Sequence, residues 1–253
     1  MTTLTAPAHA APLLVSGTVG IDSVFTPAGH AERVLGGSCT YFAAAARFFA
    51  PVRVVAVVGD DIPAPMLGTL RGMEGVDLAG LEVRRGAKTF AWAARYTPDM
   101  NGRETLSTEL GVMLEDPAPM PAPFKGSRFV FLANMHPARQ RAMLESLSAP
   151  EGGKRLVVAD TMDLWIKTAK SDLLVLLRQV DGLVLNYDEA LELTGKVNTV
   201  AAARAALELG PRFVVVKKGE HGCVLAHREG GTGGLAGLAS LPAFPSDTVV
   251  DPT

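Results

Sequence analysis

Along the chain, short β-branched runs alternate with Ala- and Leu-rich runs, a pattern that predicts strands joined by crossover helices. Strands are expected at Leu13–Ser16, residues 53–58, 128–132, 155–159 and 182–185, Phe213–Lys217 and Cys223–His227. Several are apolar at every position instead of alternately, as when both faces of a parallel sheet are covered. Helices are expected over residues 40–50, 138–148, 171–180, 188–193 and 199–209. The last reads TVAAARAALEL, a run of strong helix formers closed by Gly210 and Pro211.

Residues 81–109 break the alternation. Polar and apolar positions alternate through Lys88, Thr89, Phe90, Ala91 and Trp92, and a turn signal follows at residues 98–102. This predicts a solvent-facing antiparallel hairpin. A second short hairpin is expected over residues 22–34, turning at residues 27–29. Together they would form a small β lid, the kind of element that excludes water from a site. Residues 1–12 are Ala/Thr/Pro-rich and read as a frayed tail, leaving 13–253 as one domain. The Pro-rich run 116–123 is a stiff connector, and the glycine-rich run 230–237 a flexible loop before the final strand.

Composition narrows the function. With 253 residues, 48% of them hydrophobic and 20% charged, the chain has enough apolar side chains to order a core. Twenty-four Lys and Arg nearly balance 26 Asp and Glu, so the basic surface that nucleic-acid binding needs is missing. No apolar run approaches the roughly 18–20 residues of a membrane span. Cys39 and Cys223 are too few for a disulfide framework, which points to a reducing, cytoplasmic compartment. The five histidines lack metal-ligand spacing, and no GxGxxG, P-loop, GxSxG or HExxH motif occurs.

Four segments carry candidate chemistry. After the first strand, residues 16–22 (SGTVGID) place Asp22 at a strand's carboxyl end, where α/β sheets bind ligands; a carboxylate there accepts hydrogen bonds from sugar hydroxyls, or simply caps a turn. Gly36 and Gly37 precede a helix, where they let backbone N–H groups approach a polar ligand, while Ser38 or Thr40 would serve as its N-cap. Cys39 beside that helix start is a candidate for a depressed thiol pKa or for a small packed side chain. Asn186 and Glu189, three apart where a strand meets a helix, suit a hydrated Mg²⁺ beside phosphates, or a helix start satisfied by its own acidic residues. Lys217, Gly219 and Gly222 lie in a turn between strands, where glycines admit a nucleotide against the backbone.

In this order the segments resemble the ribokinase-like (PfkB) carbohydrate kinase family. The resemblance rests on residues 17–22, Gly36-Gly37, the run 58–61 (VGDD), Asn186-x-x-Glu189, Gly219-x-x-Gly222 and the final residues 250–253 (VDPT). It implies a doubly wound, mostly parallel α/β sheet with helices on both faces and a β lid. The implied activity is Mg·ATP-dependent phosphorylation of a sugar or nucleoside hydroxyl. By the same resemblance, Asp22, Gly36, Gly37 and Tyr41 would meet the acceptor, with Tyr41 standing where many members have Asn. Asn186 and Glu189 would order Mg²⁺ through water, while Lys217, Gly219 and Gly222 would contact ATP. Asp251 and Thr253 would start a loop for a monovalent cation such as K⁺, and a homodimer would pair through the lid. The family's Gly-Ala-Gly-Asp stretch, with its anion hole and catalytic base, would begin just past Thr253. The chain is therefore expected to be an inactive fragment of a sugar kinase. The alternatives are an adenosine-type nucleoside kinase and a non-catalytic sugar- or nucleotide-binding module.

Overall fold

The structure, a computed structural model, describes residues 10–100, 102–150, 152–228 and 237–247. The chain packs as two compact units, one running to Arg155 and the other from Leu156.

In the first unit, β1 (Leu13–Ser16) lies between β4 (Val52–Gly59) and β8 (Phe129–Leu132), and β5 (Val76–Arg84) extends the row beyond β4, every pairing parallel. The apolar-at-every-position reading holds: Leu14, Val15, Val52, Val54, Val55 and Val58 are all buried. Helix α1 (Ser38–Ala46) buries Cys39, Ala43 and Ala46 in one cluster with Val15 and Val54, small side chains that allow close helix–sheet contact. Helices α2 (Ala64–Arg71) and α3 (Pro137–Glu145) complete the crossovers. Proline at N1 or N2 opens both, where its missing N–H costs no helical bond.

The lid is a separate four-stranded sheet in the order β3-β2-β6-β7. Strands β2 (Gly20–Thr26) and β3 (Gly29–Gly36) form one hairpin, and β6 (Phe90–Tyr96) and β7 (Arg103–Glu109) the other. The two join through parallel pairing of β2 with β6. One boundary moves. Leu81 to Arg84, expected in the lid, complete β5 and pair with Ala56 to Gly59 of the main sheet, so the second lid hairpin begins only at Phe90. Alternation misled here because β5 is an edge strand with one face wet, and such a strand alternates as a hairpin does.

In the second unit, β9 (Leu156–Asp160), β10 (Gly182–Asn186) and β11 (Phe213–Lys217) are parallel. The antiparallel strands β12 (Cys223–His227) and β13 (Leu238–Leu241) follow. Helices α4 (Asp163–Thr168), α5 (Lys170–Leu177), α6 (Tyr187–Thr194) and α7 (Thr199–Leu207) connect the parallel strands. Leu173, Leu176, Leu177, Ala202 and Ala206 are fully buried. Among the described residues, no helix is long and apolar enough to cross a membrane.

Candidate active site

Asp22 is not at the end of β1. It is the third residue of lid strand β2, paired with Val34 on one side and Trp92 on the other, because residues 17–19 turn the chain and Gly20 already starts β2. A register shift between Asp22 and Val24 marks a bulge beside it, a feature that re-aims a side chain. Asp22 is only 4% exposed. Its carboxylate lies over Gly36: a Cβ there would fall 2.0 Å from Oδ2.

Gly37 is held at φ +94°, and a Cβ on it would lie 2.4 Å from the Thr18 carbonyl oxygen, so close approach and backbone angle both require glycine. Neither Ser38 nor Thr40 caps α1. Ser38 Oγ accepts from Asn134 N–H at 2.9 Å, and Thr40 Oγ1 donates to the Gly36 carbonyl at 2.7 Å. The helix start is instead tied by Cys39 N–H donating to the Thr18 carbonyl at 2.9 Å. Cys39 is buried with Sγ 4.0 Å from the Val15 carbonyl oxygen, a packed thiol. Tyr41, on the first turn of α1, is 38% exposed.

Beside this junction lies a small cleft, lined in part by Ser16, Thr18, Phe90, Val112, Met113 and Met135. Thr18 belongs to both places: its carbonyl binds the start of α1, and its hydroxyl, donating to the Asn134 carbonyl, borders the cleft. Ser16 is 2% exposed, and its Oγ has no hydrogen-bond partner. Glu115 reaches the rim but is bound to Arg84 at 2.7 Å.

In the second unit, Asn186 and Glu189 form a reciprocal capping box. Glu189 N–H donates to Asn186 Oδ1 at 2.8 Å, and Asn186 N–H donates to Glu189 Oε2 at 2.7 Å. The structural role foreseen for this pair is therefore present. Sequence reasoning missed Asp160, on the strand next to β10, paired with Val184. Burial pushes its carboxyl well above the usual carboxylate range; Lys217 draws it back and Glu189 adds to the rise. The next residue, Thr161, is 5% exposed with an unpartnered hydroxyl. The available signal was an acidic residue ending an apolar strand, the position already used to single out Asp22.

Lys217 ends β11 opposite Asn186 and is exposed. Gly219 and Gly222 take φ +54° and +75° around a single 3-10 turn. The open side of Gly222 is filled by the chain itself, since a Cβ would lie 1.9 Å from the Leu241 carbonyl oxygen. Asp251 and Thr253 lie outside the described residues.

These oxygen donors suit a hydrated Mg²⁺, which keeps several waters and needs only one or two carboxylates. Among the described residues no three His, Cys, Asp or Glu side chains cluster as a metal site.

The pfkB family carbohydrate kinase model matches residues 22–253. The chain belongs to this family. It is 28% identical over 247 residues to a cytidine kinase of Thermococcus kodakarensis, a match covering 95% of this chain and 83% of that protein. The Burkholderia thailandensis nucleoside kinase in complex with inosine superposes with TM-score 0.72 at 16% identity, over 95% of this chain and 79% of that one. The Arabidopsis thaliana ribokinase complexed with ribose and ATP gives 0.69 at 19%, over 96% and 81%. The lid and the mostly parallel sheet strands of this PfkB chain thus fall within a ribokinase-like fold.

Proposed function

We propose that this PfkB-family chain serves ATP-dependent phosphorylation of a sugar hydroxyl, with Asp22 as the acceptor's hydrogen-bonding carboxylate. The observation that carries this reading is the buried Asp22 carboxylate lying over Gly36, on a backbone where side chains at Gly36 and Gly37 would clash. A carboxylate accepts at up to about four lone-pair positions, enough for two adjacent hydroxyls. The lid strand that carries it would exclude water once the acceptor is seated.

A nucleoside is the second reading. The cleft supports it: next to Thr18 it offers apolar walls from Phe90, Val112 and Met113, with one unpartnered hydroxyl at Ser16. That combination suits a flat heterocycle with a polar edge carried on the sugar. The cytidine kinase relative is in keeping with it.

For the nucleotide, the second unit offers Lys217 and the Gly219–His221 turn, with Asn186, Glu189 and Asp160 for Mg²⁺ through water. The ion would neutralise phosphate charge. Glu189 has a further task of its own, fixing the start of α6 through the capping box. Asp251 and Thr253 are our candidates for a monovalent cation.

The test is calorimetric titration of the chain with cytidine, inosine, ribose and fructose, each with and without Mg·ADP. Saturable binding of at least one acceptor supports the reading, and preference for a nucleoside over its free sugar supports the second form. No acceptor binding beside intact nucleotide binding overturns both.

A further inference from the structure

Asp60 and Asp61, directly after β4, bind the segment that leads into lid strand β6. Asp61 Oδ1 accepts from Thr89 N–H at 2.7 Å and from the Thr89 hydroxyl at 2.8 Å. That same hydroxyl accepts from Gly59 N–H at 3.0 Å, and Thr89 is 2% exposed. Asp60 Oδ2 accepts from Gly86 N–H at 2.9 Å, and Lys88 Nζ stands 3.5 Å from Asp61 Oδ2. Gly59 is a required glycine, because a Cβ would lie 2.3 Å from the Ala87 carbonyl oxygen.

The chain leaves the lid through the same place. Val112 N–H donates to the Lys88 carbonyl at 2.8 Å, and Gly111 sits at φ +47° with room only for hydrogen, since a Cβ would lie 2.2 Å from that oxygen. Both legs of the β6–β7 hairpin therefore close on residues 88–89, and these are tied by Asp61 to the end of β4. The next residue on the entering leg is Phe90, and the leaving leg carries Val112 and Met113. These three line the cleft beside Thr18.

We propose that Asp61 is a positioning residue for the acceptor: through Thr89 it sets Phe90, and through the Lys88 carbonyl it sets Val112 and Met113, as the cleft wall. The inference rests on the acceptor reading above and adds a residue that touches no substrate. Two charge-assisted bonds to one carboxylate oxygen hold a buried threonine more firmly than a neutral pair would. Without them the walls keep their composition but lose their fixed spacing. The acceptor must then order them on binding, which lowers its affinity. The nucleotide residues named above belong to the other compact unit, so their affinity is the internal control.

The experiment compares the 253-residue chain with Asp61→Ala, Asp61→Asn, Thr89→Val and Thr89→Ser. Hydrogen exchange without ligand reads the clasp. The Thr89 and Val112 amides should exchange at least tenfold faster in Asp61→Ala than in the parent, and near parent rates in Thr89→Ser, which keeps the hydroxyl. Calorimetry reads the consequence. The Kd for cytidine should rise tenfold or more in Asp61→Ala and severalfold in Thr89→Val, with recovery in Thr89→Ser. The Kd for Mg·ADP should stay within twofold throughout, which excludes general misfolding; Asp61→Asn, keeping one acceptor oxygen, should fall between. Parent-like cytidine binding in a variant with lost protection overturns the proposal, as does parent-like protection in Asp61→Ala. A parent chain that binds neither cytidine nor ribose overturns the acceptor reading instead, and the ligand-free exchange data tell the two failures apart.

Discussion

Asp22 and Gly36 share one space: the Asp22 carboxylate occupies the volume that a side chain at position 36 would fill, with Oδ2 2.0 Å from a Cβ there. The two residues stand near opposite ends of the β2–β3 hairpin sequence and are brought together by its antiparallel register, in which Gly20 faces Gly36 and Asp22 faces Val34. Gly36→Ala should therefore swing the carboxylate aside. Overpacking of a filled site costs about 1–3 kcal/mol, so the melting temperature should drop measurably. Acceptor affinity should fall more steeply than stability, because the displaced group is the one that binds. A calorimetric comparison of acceptor and Mg·ADP binding checks this; parent-like acceptor affinity would show that the carboxylate position does not matter.

Glu189 closes the capping box and is our proposed Mg²⁺ residue, and substitution can separate the two roles. Glutamine can still accept from Asn186 N–H, so Glu189→Gln should preserve the capping box and the melting temperature. Glu189→Ala breaks half of the box and should lose about 0.5–2 kcal/mol. Both should raise the Mg²⁺ concentration needed for ATP binding. Equal Mg²⁺ dependence in parent and Glu189→Gln would reduce the residue to a helix cap.

Asp160 should cost stability at neutral pH. Its carboxyl is raised above the unfolded value of about 3.9, chiefly by burial, so its stabilising contribution is full below that value and is lost as pH rises through the folded value. Asp160→Asn should consequently melt higher than the parent at pH 7, with the advantage shrinking toward pH 4. It should also weaken Mg·ATP binding, the gain in stability coming at a functional site. A lower melting temperature at pH 7 would mean that the ionised form is well paired with Lys217.

Much of the fold was legible because it rests on strong local signals. Apolar runs such as residues 213–217 became parallel strands, and TVAAARAAL became α7, capped by Asn198 Oδ1 on the Val200 and Ala201 amides. Edge strands were harder. The burial of β5 alternates much as a lid strand's does, and β13 is exposed at every position, so neither has a composition of its own. The short helices α2 and α4 follow Pro63 and Met162 without side-chain caps and left no start signal beyond proline. Gly36 and Gly37 do stand just before α1 as expected, and close approach requires glycine at both. Asp22 belongs to the lid hairpin expected from residue 22 and not to the end of β1, because where residues 17–19 turn depends on the lid pairing with Trp92, some seventy positions away. Asp160 and the Asp61–Thr89 clasp likewise depend on tertiary neighbours that no local window contains.

The proposed role of Asp22 is recognition of the acceptor's hydroxyls. Its most direct test is calorimetric titration of the parent and Asp22→Ala with cytidine and ribose, and separately with Mg·ADP. Removing the acceptor of buried hydrogen bonds should weaken acceptor binding by about 1–3 kcal/mol, roughly five- to 150-fold in Kd, while Mg·ADP binding stays unchanged. Acceptor affinity equal to the parent's in a folded Asp22→Ala chain would contradict the account.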